Sequence, residues 1–125
     1  MSGEDELKRR IEALRFAAED GHTESMFLLG VACAQGRGVP KDDVLAARWF
    51  QQAARKGHPR ARTSLAYMHM TGRGVRKDPV TAYVLLAQAA RDGDRLAADL
   101  MIKLRAHLTP RQLDEAQKRM AKLGV

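Results

Sequence analysis

The residues with the greatest capacity for chemistry are four histidines, one cysteine and two copies of a glycine–arginine loop. His22, His58, His69 and His107 could ligate a metal or carry protons, and Cys33 could act as a nucleophile. The loops Gly36-Arg37-Gly38-Val39 and Gly72-Arg73-Gly74-Val75, each followed by a Lys-Asp pair, could cradle a phosphate ahead of a helix N-terminus. Spacing argues against each chemistry. The histidines never fall at ligand spacing on one helix, and His22 and His58 stand 36 residues apart with Asp94 in the third equivalent place, a pattern that fits helix-start capping. A single cysteine excludes an internal disulfide and a cysteine metal cluster, and Cys33 falls in a core-facing slot, so no Cys-His or Ser-His-Asp arrangement is indicated. A nucleotide loop needs a preceding strand and a longer Gly-x-x-x-x-Gly-Lys-Ser/Thr spacing, both missing here, so these loops read as turns. Arg37, Lys41, Arg73, Arg76 and Lys77 could still form a basic ridge. The carboxylates cluster at helix starts, where the helix dipole accounts for them. The expectation is a protein with no catalytic residues, no metal and no cofactor.

The elements that must position these residues are helical throughout, and punctuation fixes their limits. Asp42 and Asp78 read as N-caps, Pro59, Pro79 and Pro110 as first-turn prolines, and Gly21, Gly36, Gly57, Gly72 and Gly93 as terminators. Seven helices follow, at approximately 4–19, 23–35, 42–55, 59–71, 79–91, 95–106 and 110–123. Residues 22–57 laid over 58–93 agree at 15 of 36 positions without a gap, where chance composition gives about two or three. Ala17-Ala18-Glu19-Asp20-Gly21 is a third copy of the unit's end. The chain divides into a partial repeat and capping helix (4–21), two full repeats (22–57 and 58–93), a partial repeat (94–108) and a closing helix (109–125). Narrow apolar stripes, Leu7, Ile11, Leu14 and Ala18 at one end and Leu113, Ala116, Met120 and Leu123 at the other, suit helices that cap a stack. This organisation predicts one domain over 1–125 containing the entire solenoid.

Composition is that of a folding chain, with 45% hydrophobic and 30% charged residues among 125. Net charge is +7, distributed as −3 over residues 1–34, +6 over 35–94 and +4 over 95–125. An acidic start on a basic body suggests oriented binding of something acidic. No apolar run approaches bilayer length, so no membrane insertion is expected, and the acidic N-terminus is unlike a secretory signal. The sequence therefore reads as cytoplasmic, or as periplasmic or secreted if a signal peptide has been removed.

The repeated residues resemble the Sel-one-like repeat (SLR) family, a branch of the tetratricopeptide-repeat superfamily, as a small bacterial member. The first unit carries the pattern in Leu29-Gly30, Gly36, Gly38-Val39, Asp42, Ala46, Trp49-Phe50, Ala53-Ala54 and Gly57. The second carries it in Leu65-Ala66, Gly72, Gly74-Val75, Asp78, Ala82, Ala89-Ala90 and Gly93. A Tyr of the family pattern is Cys33 and His69 here, Trp-Tyr becomes Leu85-Leu86, and the third unit loses the Gly-x-Gly-Val loop after His107. The resemblance implies an all-α, right-handed α/α superhelical solenoid that acts as a scaffold or adaptor. Neighbouring units would bury Trp49, Phe50, Leu29, Leu65, Leu85 and Leu86, with Ala53, Ala54, Ala89 and Ala90 permitting close approach.

The resemblance also implies that the first helix of each unit lines a concave groove. The groove-facing residues would be Glu24, Phe27, Val31 and Gln35, then Arg60, Thr63, Tyr67 and Met70, then Asp99, Lys103 and His107. Apolar anchors rimmed by charge suit a peptide or helix of another protein, one with an acidic surface. The competing expectation is polyanion (RNA) binding through the basic body, which the scarcity of aromatic residues for base stacking disfavours. The chain is expected to be a monomer or to self-associate weakly. Phe16 falls opposite the Leu7–Ala18 stripe and is expected to be either a contact residue or, the favoured reading, packed with the N-terminal tail.

Overall fold

The computed structural model describes residues 2–125, and among them are seven helices and no strand. They are α1 (Gly3–Glu19), α2 (Thr23–Gln35), α3 (Asp43–Arg55), α4 (Pro59–Thr71), α5 (Pro79–Arg91), α6 (Arg95–Arg105) and α7 (Pro110–Leu123). Their starts are capped as the punctuation requires. Asp42 accepts from the Leu45 N–H, Asp78 from that of Thr81, and Nδ1 of His22 and of His58 from those of Ser25 and Ala61. Thr109 and Gln112 form a reciprocal capping box on α7.

Each full unit is an antiparallel helix pair, α2 with α3 and α4 with α5, and each second helix also packs against the first helix of the next unit. Small residues set the spacing: Ala46, Ala53, Ala61, Ala66, Ala82, Ala89 and Ala97 have no accessible surface. Gly30 lies directly against the Phe50 ring, where a Cβ would stand 2.5 Å from a ring carbon. Leu29 and Leu86 are the largest completely enclosed side chains. Trp49 and Leu85, expected in this core, are only half-buried at its edge. The reason is angular: Ala46, Phe50 and Ala53 already fill the face of α3 toward α2. Phe16 is likewise not covered by the described residues, being 78% exposed. Leu123 is half-exposed at the end of its stripe.

The repeated loops are structural wedges. The second glycine of each loop has positive φ and sits on the preceding unit: Gly38 (φ 77°) against Leu7 and Ile11 of α1, and Gly74 (φ 70°) against the backbone of Asp43 at the start of α3.

The α5 cap carries a pH dependence. Partial burial pushes the Asp78 carboxyl up, but bonds from the Thr81 hydroxyl (2.7 Å) and N–H, with Arg119 and His69 nearby, outweigh it and hold the group below the usual aspartate range. A depressed carboxylate stabilises the fold above the unfolded-state value, and that contribution vanishes as pH falls through the depressed value. Asp78→Ala should therefore cost about 1 kcal/mol at neutral pH. Urea melts in acid should show parent and variant converging; a gap that persists there would mean the ionised carboxylate is not its source.

Candidate functional groove

The first helices, α2, α4 and α6, contribute to one groove enclosing a pocket of about 320 Å³. Val31, Ala34 and Gln35 come from α2, Thr63, Ser64, Tyr67 and Met68 from α4, and Leu96 and Leu100 from α6, over a floor made by Phe50. The lining is mainly apolar, yet Tyr67 is 47% and Leu96 58% exposed. Polar groups stand at the rim. The Arg73 guanidinium is held there by Asp43 at 3.2 Å, and Gln35 and the Tyr67 hydroxyl supply further hydrogen-bonding groups. Such a cleft can take up an apolar side chain and orient the polar backbone around it.

The row of residues expected along the groove, Asp99 apart, divides into three places. Val31, Gln35, Thr63 and Tyr67 meet in the pocket just described. Glu24, Phe27 and Arg60 instead meet at the junction between units. Phe27 is 4% exposed, stacked on the His58 ring with centroids 4.7 Å apart, and the Arg60 guanidinium carbon lies over the Phe27 ring, 4.7 Å from its centroid. Since His58 accepts at Nδ1, its Nε2 carries the proton, which it donates to Glu24 Oε2 at 2.6 Å. Phe27 as an exposed groove anchor is thus corrected: it is core. Thr63 is corrected in the same way, being 4% exposed and hydrogen-bonded to Asp94.

These corrections share a cause. Phe27 and Thr63 occupy the same place in consecutive units, and that place touches the N-cap of the following unit, His58 or Asp94. Asp99, next in the series, is exposed and lines no described pocket. Met70, Lys103 and His107 form the third place, beside Lys77, Leu104 and Gln112 in a separate depression of about 540 Å³.

Leu96 and Leu100 are groove residues that sequence reasoning passed over. A signal existed: Leu96 is apolar where the equivalent positions hold Glu24 and Arg60. The remaining chemistry-bearing residues are accounted for structurally. His22 and His58 are caps, and His69 Nδ1 lies 3.0 Å from the Arg76 carbonyl oxygen, to which it would donate. Cys33 is buried, and burial together with nearby Asp42 pushes its thiol up, away from the reactive thiolate. Among the described residues no helix is long and apolar enough to cross a membrane.

Comparison with protein-family models finds the Sel1 repeat at residues 23–58 and 59–94, one residue later than the unit limits read from the sequence. Comparison with curated protein sequences finds no match. Among solved structures the chain is similar to a protective antigen of uropathogenic Escherichia coli displaying an SLR fold (31% identity, TM-score 0.89, covering 98% of this chain and 30% of that one). It is also similar to a Sel1 repeat protein from Oxalobacter formigenes (29%, TM-score 0.72, 75% and 39%). A third is Helicobacter pylori cysteine rich protein B (26%, TM-score 0.68, 72% and 68%). The chain thus spans well under half the length of the first two. Sel1 repeat proteins are in general protein–protein interaction scaffolds and typically not enzymes. With two tandem matches over more than half its length and the helical solenoid fold of those structures, the chain belongs to the Sel1 repeat family.

Proposed function

We propose that residues 1–125 act as one scaffold unit whose groove between α2, α4 and α6 binds a segment of another protein. The observation that carries this reading is the exposure of Tyr67 and Leu96 on either side of an apolar pocket, where unpaired apolar surface has no structural use. The bound segment places one apolar side chain over Phe50 and Met68, and Tyr67 supplies both area and a hydrogen bond. Arg73 and the charge of +6 over residues 35–94 favour an acidic neighbour to that anchor and steer its approach. Arg73 is already paired with Asp43, and this argues for local recognition rather than a continuous polyanion track.

The test is selection of peptides from a random library on the immobilised chain, then titration against Tyr67→Ala and Leu96→Glu. Both side chains are exposed, so thermal melts should barely change, while affinity for selected peptides should fall at least about tenfold for each. Enriched peptides should combine an aromatic or aliphatic anchor with Asp or Glu. Peptides that bind both variants as well as the parent would move the interaction off this groove.

A further inference from the structure

The loop of each full unit fills a place at the start of the second helix before it. Gly38 lies on Leu7 of α1, and Gly74 lies on Asp43 of α3 and against the Met68 side chain of α4. Leu7, Asp43 and Pro79 follow one another at 36-residue intervals, as Met68 and Leu104 do. The next such place is therefore between Pro79, at the start of α5, and Leu104 of α6. No loop glycine reaches it. The connection from α6 to α7 spans only 106–109, where the corresponding loops span 36–42 and 72–78, and α7 packs on α5. Pro79 and Leu104 instead line the depression of about 540 Å³, which shares no lining residue with the groove over Phe50.

The polar side chains around that depression are donors. Lys77 and Lys103 bring ammonium groups, and His107 has a ring N–H in either tautomer. Gln112 turns its Oε1 to the Thr109 N–H at 2.9 Å, which leaves its NH2 as a free donor. No carboxylate or hydroxyl lines the space. Among the described residues, the side chains of Lys77, Lys103 and His107 have no ion pair or hydrogen bond. The carboxylates closest to them in the chain are engaged elsewhere, Asp78 with Thr81, Asp114 with Lys118 and Glu115 with Arg119. Asp99, one turn before Lys103, is exposed and outside the lining. The α6 dipole accounts for cations at its C-terminal end, but Lys77 precedes the N-terminus of α5, where the dipole disfavours a positive charge.

We infer that this depression binds a phosphoryl group carried on a short apolar stem. Two ammonium groups and an imidazole offer more positive charge than a single carboxylate uses. A phosphoryl group brings a charge of roughly −1.5 to −2 and three acceptor oxygens, one for each of several donors. Lysine serves such a group as a point charge, without the fixed fork geometry of arginine. Met70, Pro79 and Leu104 supply an apolar wall for the stem. A phosphorylated side chain of another protein and a small phosphate ester present the same chemistry to these residues. The site is separate from the peptide groove, so neither reading depends on the other.

Phenyl phosphate, titrated into the isotope-labelled 125-residue chain in a phosphate-free buffer, should shift the backbone resonances of Lys77, Lys103, Leu104 and His107 at millimolar concentration or below. Benzoate, with the same ring and one carboxylate, should bind at least about fivefold more weakly. Lys77→Met and Lys103→Met keep the stem and remove the charge. Both lysines are exposed, so circular dichroism should be unchanged, while affinity for phenyl phosphate should fall about fivefold or more in each. Lys41→Met, the repeat equivalent of Lys77, and Tyr67→Ala in the groove should both bind it as the parent does. A phosphotyrosyl peptide that binds more tightly than phenyl phosphate would identify a modified protein as the source of the group, and one that binds equally a small ester. No shifts with millimolar phenyl phosphate, equal binding of benzoate, or undiminished binding in either Lys77→Met or Lys103→Met would overturn the proposal.

Discussion

Phe50→Ala should lower the unfolding free energy by about 3–5 kcal/mol. The ring is buried, touches Gly30 on the facing helix and lies 5.9 Å from the Phe27 ring. Neither neighbour can refill the space it would leave. Gly30 has no side chain, and Phe27 is held by its contacts with His58 and Arg60. The void would also open into the groove, since Phe50 forms its floor. Trp49→Ala next to it should cost less, because part of that side chain already faces water. Paired urea melts of the two variants check the ranking, and an equal or larger loss at Trp49 would contradict the packing described.

The second large effect is expected at Gly74. Alanine there must hold a left-handed backbone, worth about 1–2 kcal/mol, and must also find room against the Asp43 backbone, which cannot swing aside as a side chain does. Together these should destabilise the protein by about 3 kcal/mol. Gly57 is the control, with φ of 89° and open space where its Cβ would go. Gly57→Ala should show only the conformational share. If the two glycine variants melt alike, the loop of the second unit is not wedged on α3.

Helix limits were legible because each is marked by a residue with a local reason to be there. Pro59, Pro79 and Pro110 open their helices, and Gly36 and Gly72 close theirs in left-handed conformation, all from chemistry within a few residues. The groove was less legible because facing is a matter of contacts between units. A helical wheel puts Phe27 within reach of solvent on α2, and only the ring of His58, 31 residues on, takes it out of water. Asp99 illustrates the converse, matching Phe27 and Thr63 by position but meeting no N-cap of a following unit. The course of α7 was foreshadowed by the missing Gly-x-Gly-Val loop, but which helix a shortened connection reaches depends on where α5 already stands.

The contacts of Phe27 with His58 and of Thr63 with Asp94 tie successive units together through their helix starts. The first turn of α4 is steadied by side chains of α2, and that of α6 by a side chain of α4, while the His22 cap of α2 bonds to Ser25 of its own helix. Because each contact holds both of its partners, loosening either unit would unsettle its neighbour. In a chain of nearest-neighbour units, order then passes across these two junctions as a unit rather than helix by helix.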